Sequence, residues 1–366
     1  MMLLQHIIKH LLDNLALQGF NPVVHFELEG VFELYPWQKQ LDYSGINRKL
    51  KKLDIDGELK TEYWKNQWEY VSLFNGQSPL KEAQNLDKAM QLLPQLMRQY
   101  GAANVLMQPV AWGADNGRYL SGSGAIFSLD TRSVHIPNAI QLNVSVENDK
   151  GENLFAQQGL GEWVQYHLLK NSYHNCILFL PEEDAFKRLS LRKDYGLDAE
   201  LSSPVVLSGG HQGSIALYKE KGKHNQAMGQ EPLFFAADNS VLSYTTDWQK
   251  TARVEHRIGA TSQAYNPYLN VIFALLNVLE GINSWKTGQL APNALDKALP
   301  RSIDDTHHCD TLVLGALSLF KNDNWLVNKV DLYCQNMFYA DATNLGKRIR
   351  DMVLAPYQGS NITLGS

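Results

Sequence analysis

The spacing of apolar and polar residues predicts both helices and strands. From Met1 to Phe20, apolar residues recur at helical spacing, and Gly19 suits a left-handed helix end. The segment Val23 to Tyr35 is strongly apolar, as expected for a strand. From Thr61 to Tyr70, aromatic and polar residues alternate, which is typical of a pair of half-buried strands.

Three further segments complete this framework. Ser78 to Tyr100 repeats apolar side chains every three or four residues, which predicts an amphipathic helix that Pro94 could kink. Ala264 to Leu279 is predicted as a buried helix entered through Asn266-Pro267, with the proline in its first turn. The lysine-rich stretch Arg48 to Lys52 is predicted as a solvated loop.

The chain of 366 residues is long for one compact domain. We predict a single α+β domain, residues 1–366, with surface insertions near 110–134 and 219–250. Gly113 to Thr131 is rich in Gly and Ser, and Lys219 to Lys250 is polar and poorly periodic. No internal repeat is visible.

Composition narrows the functional classes. Apolar residues at 44% and charged residues at 19% fit a soluble globular protein. The net charge of -5 gives no general attraction to nucleic acid or to an anionic membrane, and no apolar run approaches the roughly 20 residues that span a bilayer. The three cysteines lack metal or redox spacing. We therefore expect a cytoplasmic protein without a nucleic-acid or membrane partner.

The first candidate chemistry is a pair of acids on a predicted strand. Glu27 and Glu29 are two residues apart, so their carboxylates share one face. Two carboxylates about 4 Å apart repel by roughly 4 kcal/mol at an effective dielectric near 20, so such a pair must be solvated, protonated or bridged by cations. Alone, the pair fits either a solvated strand face or a metal site.

More acids strengthen the metal interpretation. Glu62 and Glu69 bracket a predicted bend, and Glu255 lies between Arg253 and Arg257 on one strand face. The last motif could be an exposed salt-bridge ladder. Taken with the first pair, however, these acids offer the hard oxygen ligands that Mg²⁺ and Mn²⁺ prefer, and the arginines can hold anions. That layout suits metal-dependent phosphoryl transfer from a nucleotide.

Two of these segments resemble the catalytic domain of the glutamine synthetase family. Phe26-Glu27-Leu28-Glu29 resembles its opening Glu-x-Glu strand. Glu62 to Glu69 is similar to its His-Glu-(six)-Glu segment, including Gln67 before the second acid, although Thr61 stands in place of the histidine.

A third segment resembles the family most specifically. Arg253-Val254-Glu255-His256-Arg257, followed by Asn266-Pro267-Tyr268-Leu269 and Leu279-Glu280-Gly281-Ile282, is similar to its Arg-x-Glu-x-Arg strand and Asn-Pro-Tyr-Leu helix. The order of the motifs also agrees, from about Leu12 to Leu299.

Other segments depart from the family pattern. Asn138 to Val146 resembles the Gly-Ser-Gly-Met-His-x-His-x-Ser strand, but Gln141 and Asn143 replace the two histidines while Ser145 is kept. A rival register through Ser121 to Gly124 loses the strand and is rejected.

One segment keeps the arginine of the family pattern, and another loses both of its arginines. Asp184 to Leu189 is similar to Asn-Ser-Tyr-Lys-Arg-Leu and keeps the arginine, Arg188. Pro204 to Leu217 resembles the strand that presents two phosphate-binding arginines, but His211 and Gly213 occupy those places.

The resemblance implies a curved antiparallel sheet with the glutamates on its inner face and helices outside. It implies two Mg²⁺ or Mn²⁺ ions and a bound ATP. The implied metal ligands are Glu29, Glu62 and Glu69 for one ion and Glu27, Glu255 and Gln141 for the other. The implied nucleotide contacts are Asn143, Ser145, Arg253 and His211. The implied catalytic residues are Arg188 and Arg257 for the amino-acid substrate and Glu200, the nearest match to the family's general base.

These implications favour an ATP-dependent carboxylate–amine ligase that forms an amide on glutamate or a related amino acid through an acyl phosphate. Losing one preorganised transition-state donor costs about 10²–10³ in rate, so the replaced arginines also suggest a catalytically impaired metal–nucleotide binding or regulatory subunit. The family's small N-terminal domain has no counterpart here, and we expect either a homo-oligomer or a partner chain that supplies the missing domain. A phosphagen-type kinase would share the fold, but its motifs are missing.

The run His307-His308-Cys309-Asp310 contains possible zinc ligands. Four adjacent residues cannot easily surround one tetrahedral ion. We predict a loop.

Overall fold

A computed structural model describes most of the chain: residues 2–62, 66–73, 76–112, 135–193, 200–202, 213–219, 230–235, 241–245, 248–292, 295–337 and 344–358. The helices are α1 Met2–Ala16, α2 Tyr43–Lys52, α3 Pro79–Gln99, α4 Leu160–Asn175, α5 Glu183–Lys193, α6 Trp248–Thr251, α7 Pro267–Trp285, α8 Ala316–Asn322, α9 Trp325–Cys334 and α10 Leu345–Leu354. The strands are β1 Asn21–Leu34, β2 Gly57–Thr61, β3 Gln67–Ser72, β4 Ala102–Leu106, β5 Val110–Trp112, β6 His135–Pro137, β7 Ile140–Glu147, β8 Ile215–Tyr218, β9 Gln230–Phe235, β10 Val241–Thr245, β11 Arg253–His256, β12 Thr306–His308 and β13 Thr311–Val313.

Among the described residues, seven strands form the main sheet, in the order β2-β3-β1-β7-β11-β8, and β4 pairs with the end of β1. Every pairing in it is antiparallel. Strand β1 therefore lies between the strands that carry the other candidate ligands. The predicted α+β class, an antiparallel sheet with helices packed outside it, is confirmed.

The apolar face of the sheet follows from strand alternation. Val24, Phe26 and Leu28 are fully buried in the main hydrophobic core, while the residues between them face the other side. Burying each such side chain contributes roughly 1.5–3 kcal/mol. The helices α1, α3, α4 and α7 pack together over this face, which leaves the opposite face for polar groups.

Helix α7 lies in the core and shows why its motif needs particular residues. Asn266 accepts hydrogen bonds from the N–H groups of Tyr268 and Leu269, and Pro267 occupies the first turn. A Cβ atom on Gly281 would lie 2.5 Å from a methyl carbon of Val164 in α4. Glycine at this position therefore lets the two helices approach closely.

One sequence prediction needs correction. Arg48 to Lys52 is not a loop but the second half of α2, which Asp42 caps by accepting from the Gly45 N–H. Ile46 and Leu50 lie on the buried face of this amphipathic helix. The lysines lie in its last turn, where positive charge interacts favourably with the helix dipole. The poorly periodic stretch 219–250 contains the β9–β10 hairpin.

Other predictions have mixed outcomes. The segment Gly113 to Thr131 lies outside the described residues, and the single-domain prediction stays a prediction. The His307 to Asp310 segment forms the end of the β12–β13 hairpin, whose turn residues Cys309 and Asp310 have φ values of 48° and 64°. Within the described chain, no helix has the length and apolarity to cross a bilayer.

Candidate functional site

The polar face of the sheet gathers the predicted site residues. On β1, His25, Glu27 and Glu29 alternate with buried apolar side chains. Register places Glu29 opposite Glu69 of β3, and Glu27 opposite Gln141 of β7. Because antiparallel partners on one face have Cβ atoms about 5 Å apart, this pairing brings the acids together.

Three carboxylates form the most compact cluster. Single oxygen atoms of Glu29, Glu62 and Glu69 all lie within 4.8 Å of one another. Glu62 follows β2, and its N–H donates to the Gln67 carbonyl oxygen at 3.1 Å, which holds it beside β3. Three carboxylates at this spacing repel one another, and a divalent cation between them would relieve that repulsion.

The Glu29 carboxylate is fixed by donors from neighbouring strands. The Ala139 N–H donates to its Oε2 at 2.7 Å, and Nε2 of Gln67 lies 3.5 Å from the same oxygen. On the other side, Nε2 of Gln141 lies 3.5 Å from Oε1 of Glu29. These contacts orient Glu29 within its strand, as the partners of metal-binding carboxylates do.

Gln141 also carries the feature that fits a second cation. Its Oε1 is buried and has no hydrogen-bond partner among the described residues. Leaving a buried acceptor unsatisfied costs about 1–3 kcal/mol. Gln141 lies opposite Glu27 in the sheet, and an amide oxygen there is a suitable ligand for a hard divalent cation.

A chain of polar contacts crosses the sheet beside these acids. Nδ2 of Asn143 donates to Glu27 at 3.1 Å, and Nε of Arg253 donates to Oδ1 of Asn143 at 2.7 Å. Glu255 forms ion pairs with Arg253 at 3.4 Å and with Arg257 at 3.1 Å. Because Glu255 is 1% exposed, this ladder is buried, and the alternative of an exposed ladder is wrong.

The two predicted substrate arginines differ in what their guanidinium groups contact. Nη1 of Arg257 is buried and lacks a hydrogen-bond partner within the described chain, so it can donate to an anion. Arg188 is fully buried, and it donates to the carbonyl oxygens of Ile258 at 2.8 Å and Arg257 at 3.5 Å. Arg188 thus supports the main chain beside Arg257, and its direct contact with substrate stays a prediction.

Two residues on this face were missed by sequence reasoning. His25 is buried opposite Asn143, and burial together with Arg253 lowers its pKa to about 4, so its imidazole is neutral at pH 7. Tyr218 of β8 pairs with Arg253, whose guanidinium carbon lies 4.6 Å from the tyrosine ring centroid. Burial raises the pKa of Tyr218, which stays a phenol. The sequence did contain a signal for His25: it is two residues from Glu27, so both side chains lie on the same face of β1.

The remaining predicted site residues have fewer described contacts with the carboxylates. Ser145 is half-buried on β7, and it lies on the same face of the strand as Asn143, two residues before it. Glu200 is half-buried, and the next residue, Leu201, donates through its N–H to the Lys297 carbonyl oxygen. No contact described here joins Glu200 to the acids, so its role as base stays a prediction. His211 lies outside the described residues.

Comparisons with known proteins place the fold. No protein-family model matches the chain, and a search of curated proteins finds no significant match. A solved structure described as a novel glutamine synthase homolog is 15% identical with a TM-score of 0.58, over 98% of this chain and 72% of that chain. A GmaS/ADP complex is 15% identical with a TM-score of 0.55, over 99% and 75%. Apo GmaS without ligand is 15% identical with a TM-score of 0.54, over the same shares. The chain therefore has the fold of glutamine synthetase homologues, as its sequence motifs implied.

Proposed function

We propose that this protein is an ATP-dependent carboxylate–amine ligase that forms an amide on glutamate or a related amino acid through an acyl phosphate. The cluster of Glu29, Glu62 and Glu69 is the observation that carries this proposal. It lies on the polar face of a sheet whose fold is shared with glutamine synthetase homologues.

The residues fit two divalent ions, Mg²⁺ or Mn²⁺. Glu29, Glu62 and Glu69 would hold one ion, and the second would lie among Glu27, Glu255 and the unpartnered amide oxygen of Gln141. When bound, such ions neutralise phosphate oxygens and orient them for in-line displacement. They would also relieve the repulsion between the carboxylates.

The nucleotide site would be built around Arg253. Its guanidinium is held by Asn143 and Glu255 and lies against the Tyr218 ring, so the charge is preorganised before a phosphate arrives. The similar GmaS structure contains ADP, which supports a nucleotide here. Ser145 and His211 would complete this site.

The open donor of Arg257 would bind the α-carboxylate of the amino acid. An oxygen of the second carboxylate attacks the γ-phosphorus of ATP and ADP departs, which leaves an acyl phosphate. The amine nitrogen then attacks the acyl carbon, and inorganic phosphate leaves with that oxygen. Glu200 would accept the proton released by the amine.

The alternative is a metal–nucleotide binding or regulatory subunit without turnover. It is favoured by the amides of Gln141 and Asn143, which replace two histidines of the family pattern, and by the commitment of Arg188 to backbone carbonyls. A homo-oligomer or partner chain and a cytoplasmic location remain part of the proposal in either case.

Calorimetric titration of Mg²⁺-ATP tests the site. We expect binding to the wild type, loss of binding in Glu62→Gln, and normal binding in Glu58→Gln. Glu58 provides a matched control because it is exposed on β2, the strand that Glu62 follows, about 13 Å along the chain from Glu62. Binding that survives Glu62→Gln would refute this metal–nucleotide site.

Measuring the release of inorganic phosphate then distinguishes the ligase from the regulatory subunit. A ligase releases phosphate only when both a carboxylate and an amine are present, so each candidate pair is compared with either component alone. Binding of ATP without release across a panel of amines, including ammonium and methylamine, would overturn the ligase and favour the regulatory subunit.

A further inference from the structure

Strand β8 carries a hydroxyl group that has no partner within the described chain. Tyr218 is 1% exposed, and its buried side-chain oxygen makes no hydrogen bond to a described residue. Its side chain lies on the polar face of the sheet, since the main hydrophobic core includes Ile215, on the other face of β8, but not Tyr218. A buried polar group without a partner is costly in a folded protein, so this hydroxyl points to a ligand-binding role.

The Tyr218 hydroxyl lies among the charged groups of the site. The register places Tyr218 opposite Arg253, and the guanidinium carbon of Arg253 lies 4.6 Å from the tyrosine ring centroid. Burial raises the pKa of Tyr218 and Glu255 raises it further, whereas Arg257 and Arg253 lower it. These opposing effects arise because the phenol is close to both arginines and to Glu255. Since the phenol is protonated at pH 7, it can donate a hydrogen bond.

The neighbouring Glu255 carboxylate does not accept from this donor. Its Oε1 is buried and has no hydrogen-bond partner among the described residues, and its Oε2 accepts from Nη2 of Arg253 at 3.4 Å. Nη1 of Arg257 is likewise buried and unpartnered within that part of the chain. Tyr218 and Arg257 therefore bring two buried donors to the surroundings of Glu255. Because the described chain supplies no acceptor for them, they fit an anion that binds from solution.

The position of the Tyr218 hydroxyl favours a phosphate oxygen as its acceptor. In the proposed reaction, Arg253 holds the nucleotide and Arg257 holds the amino acid, so the γ-phosphate passes between the two arginines. The second proposed ion, which Glu27 and Glu255 would help to hold, would bind phosphate oxygens. Glu27 also acts electrostatically on the Tyr218 phenol. A donor that is close to all four charged groups is therefore close to the path of the γ-phosphate.

We propose that the Tyr218 hydroxyl donates a hydrogen bond to an oxygen of the γ-phosphate of ATP, before and during its transfer to the substrate carboxylate. The assignment rests on the proposed function. The phenol keeps its proton throughout, so the only bond to it that forms or breaks is the hydrogen bond. His211 and Gly213 stand where the family pattern has phosphate-binding arginines. Tyr218, on the strand that follows them, supplies a preorganised donor without restoring their charge.

Separate calorimetric titrations with Mg²⁺-ATP and Mg²⁺-ADP test the contact in the full chain. Tyr218→Phe removes the hydroxyl and keeps the ring against Arg253. We expect its dissociation constant for ATP to rise about tenfold, because a hydrogen bond to a charged oxygen is lost. Its dissociation constant for ADP should not change, because ADP has no γ-phosphate. Tyr166→Phe is the matched control: Tyr166 is half-buried on α4, across the sheet from the site, and both constants should stay at the wild-type values.

Thermal unfolding without nucleotide separates ligand binding from support of the fold. Since the Tyr218 hydroxyl has no partner within the described chain, we expect Tyr218→Phe not to lower the unfolding midpoint. Parallel loss of affinity for both nucleotides would show a general effect on the site, and unchanged ATP affinity would show that the hydroxyl does not touch the phosphate. Either result overturns the assignment and leaves the proposed function standing. Wild-type protein that binds neither nucleotide would refute the metal–nucleotide site and this assignment together.

Discussion

The side-chain amide of Gln141 reaches Glu29 through its nitrogen, with Nε2 lying 3.5 Å from Oε1 of Glu29. This contact leaves the Gln141 carbonyl oxygen on the opposite side of the planar amide group, where it is buried and unpartnered. One side chain therefore orients a ligand of the first proposed ion and offers an oxygen to the second.

The first prediction changes the chemistry of that oxygen. Gln141→His replaces a hard carbonyl ligand with an imidazole, which favours later transition metals over Mg²⁺. We expect the affinity for Co²⁺ relative to Mg²⁺ to rise on the order of tenfold. Competitive metal titration measures the ratio, with Lys150→His, at an exposed position in the turn after β7, as control. An unchanged ratio would remove Gln141 from the second site.

The second prediction concerns repulsion within the carboxylate cluster. Glu69→Gln removes one negative charge from three crowded acids. In EDTA, we expect the variant to be more stable than the wild type by about 1 kcal/mol, because the like-charge repulsion falls. With Mn²⁺ present, the order should reverse, since the wild type gains more binding energy. Urea unfolding under both conditions measures this crossover, and Glu58→Gln should show none.

Strand alternation and helix capping made much of the fold predictable. Glu27 and Glu29 were placed on one face by a period of two, and Asn266-Pro267 marked the start of α7. These signals are local. The lysine run of α2 was misassigned because its charges hid the buried pair Ile46 and Leu50 four residues apart.

The parts that sequence reasoning missed depend on distant pairing. Nothing local indicates that Asn143 bridges Glu27 to Arg253, or that Arg188 contacts carbonyl oxygens about 70 residues away. Likewise, Glu255 could not be recognised as buried, since a strand face with alternating charges also fits an exposed salt-bridge ladder. Sheet order decides these contacts, and it is set by the packing of the whole chain.

The third prediction concerns Glu82, which is buried beneath the sheet on α3. Burial raises its pKa to about 7, although the nearby Ser72 hydroxyl opposes the shift. A carboxyl with a folded pKa above its unfolded value of about 4.5 favours folding when protonated, and this advantage disappears as pH rises from about 4.5 through 7.

The corresponding variant is Glu82→Gln. From the shift to about 7, the charged form costs up to about 3 kcal/mol of the free energy of unfolding at pH 8. We expect Glu82→Gln to be more stable than the wild type at pH 8, with the difference shrinking toward pH 5. Urea unfolding across this range measures the slope, and Glu58→Gln should follow the wild type. A gain that is independent of pH would refute this titration.

The last prediction tests how Arg188 acts. Its guanidinium satisfies the carbonyl oxygens of Ile258 and Arg257 in a fully buried position. Arg188→Met keeps much of the apolar stem but leaves these acceptors without their donors, and we expect a loss of about 3 kcal/mol in unfolding free energy. Lys187→Met, at the exposed neighbouring position, should change it by less than about 0.5 kcal/mol. If Arg188→Met is as stable as the control but loses affinity for carboxylates, Arg188 acts by touching the ligand and not by supporting the chain beside Arg257.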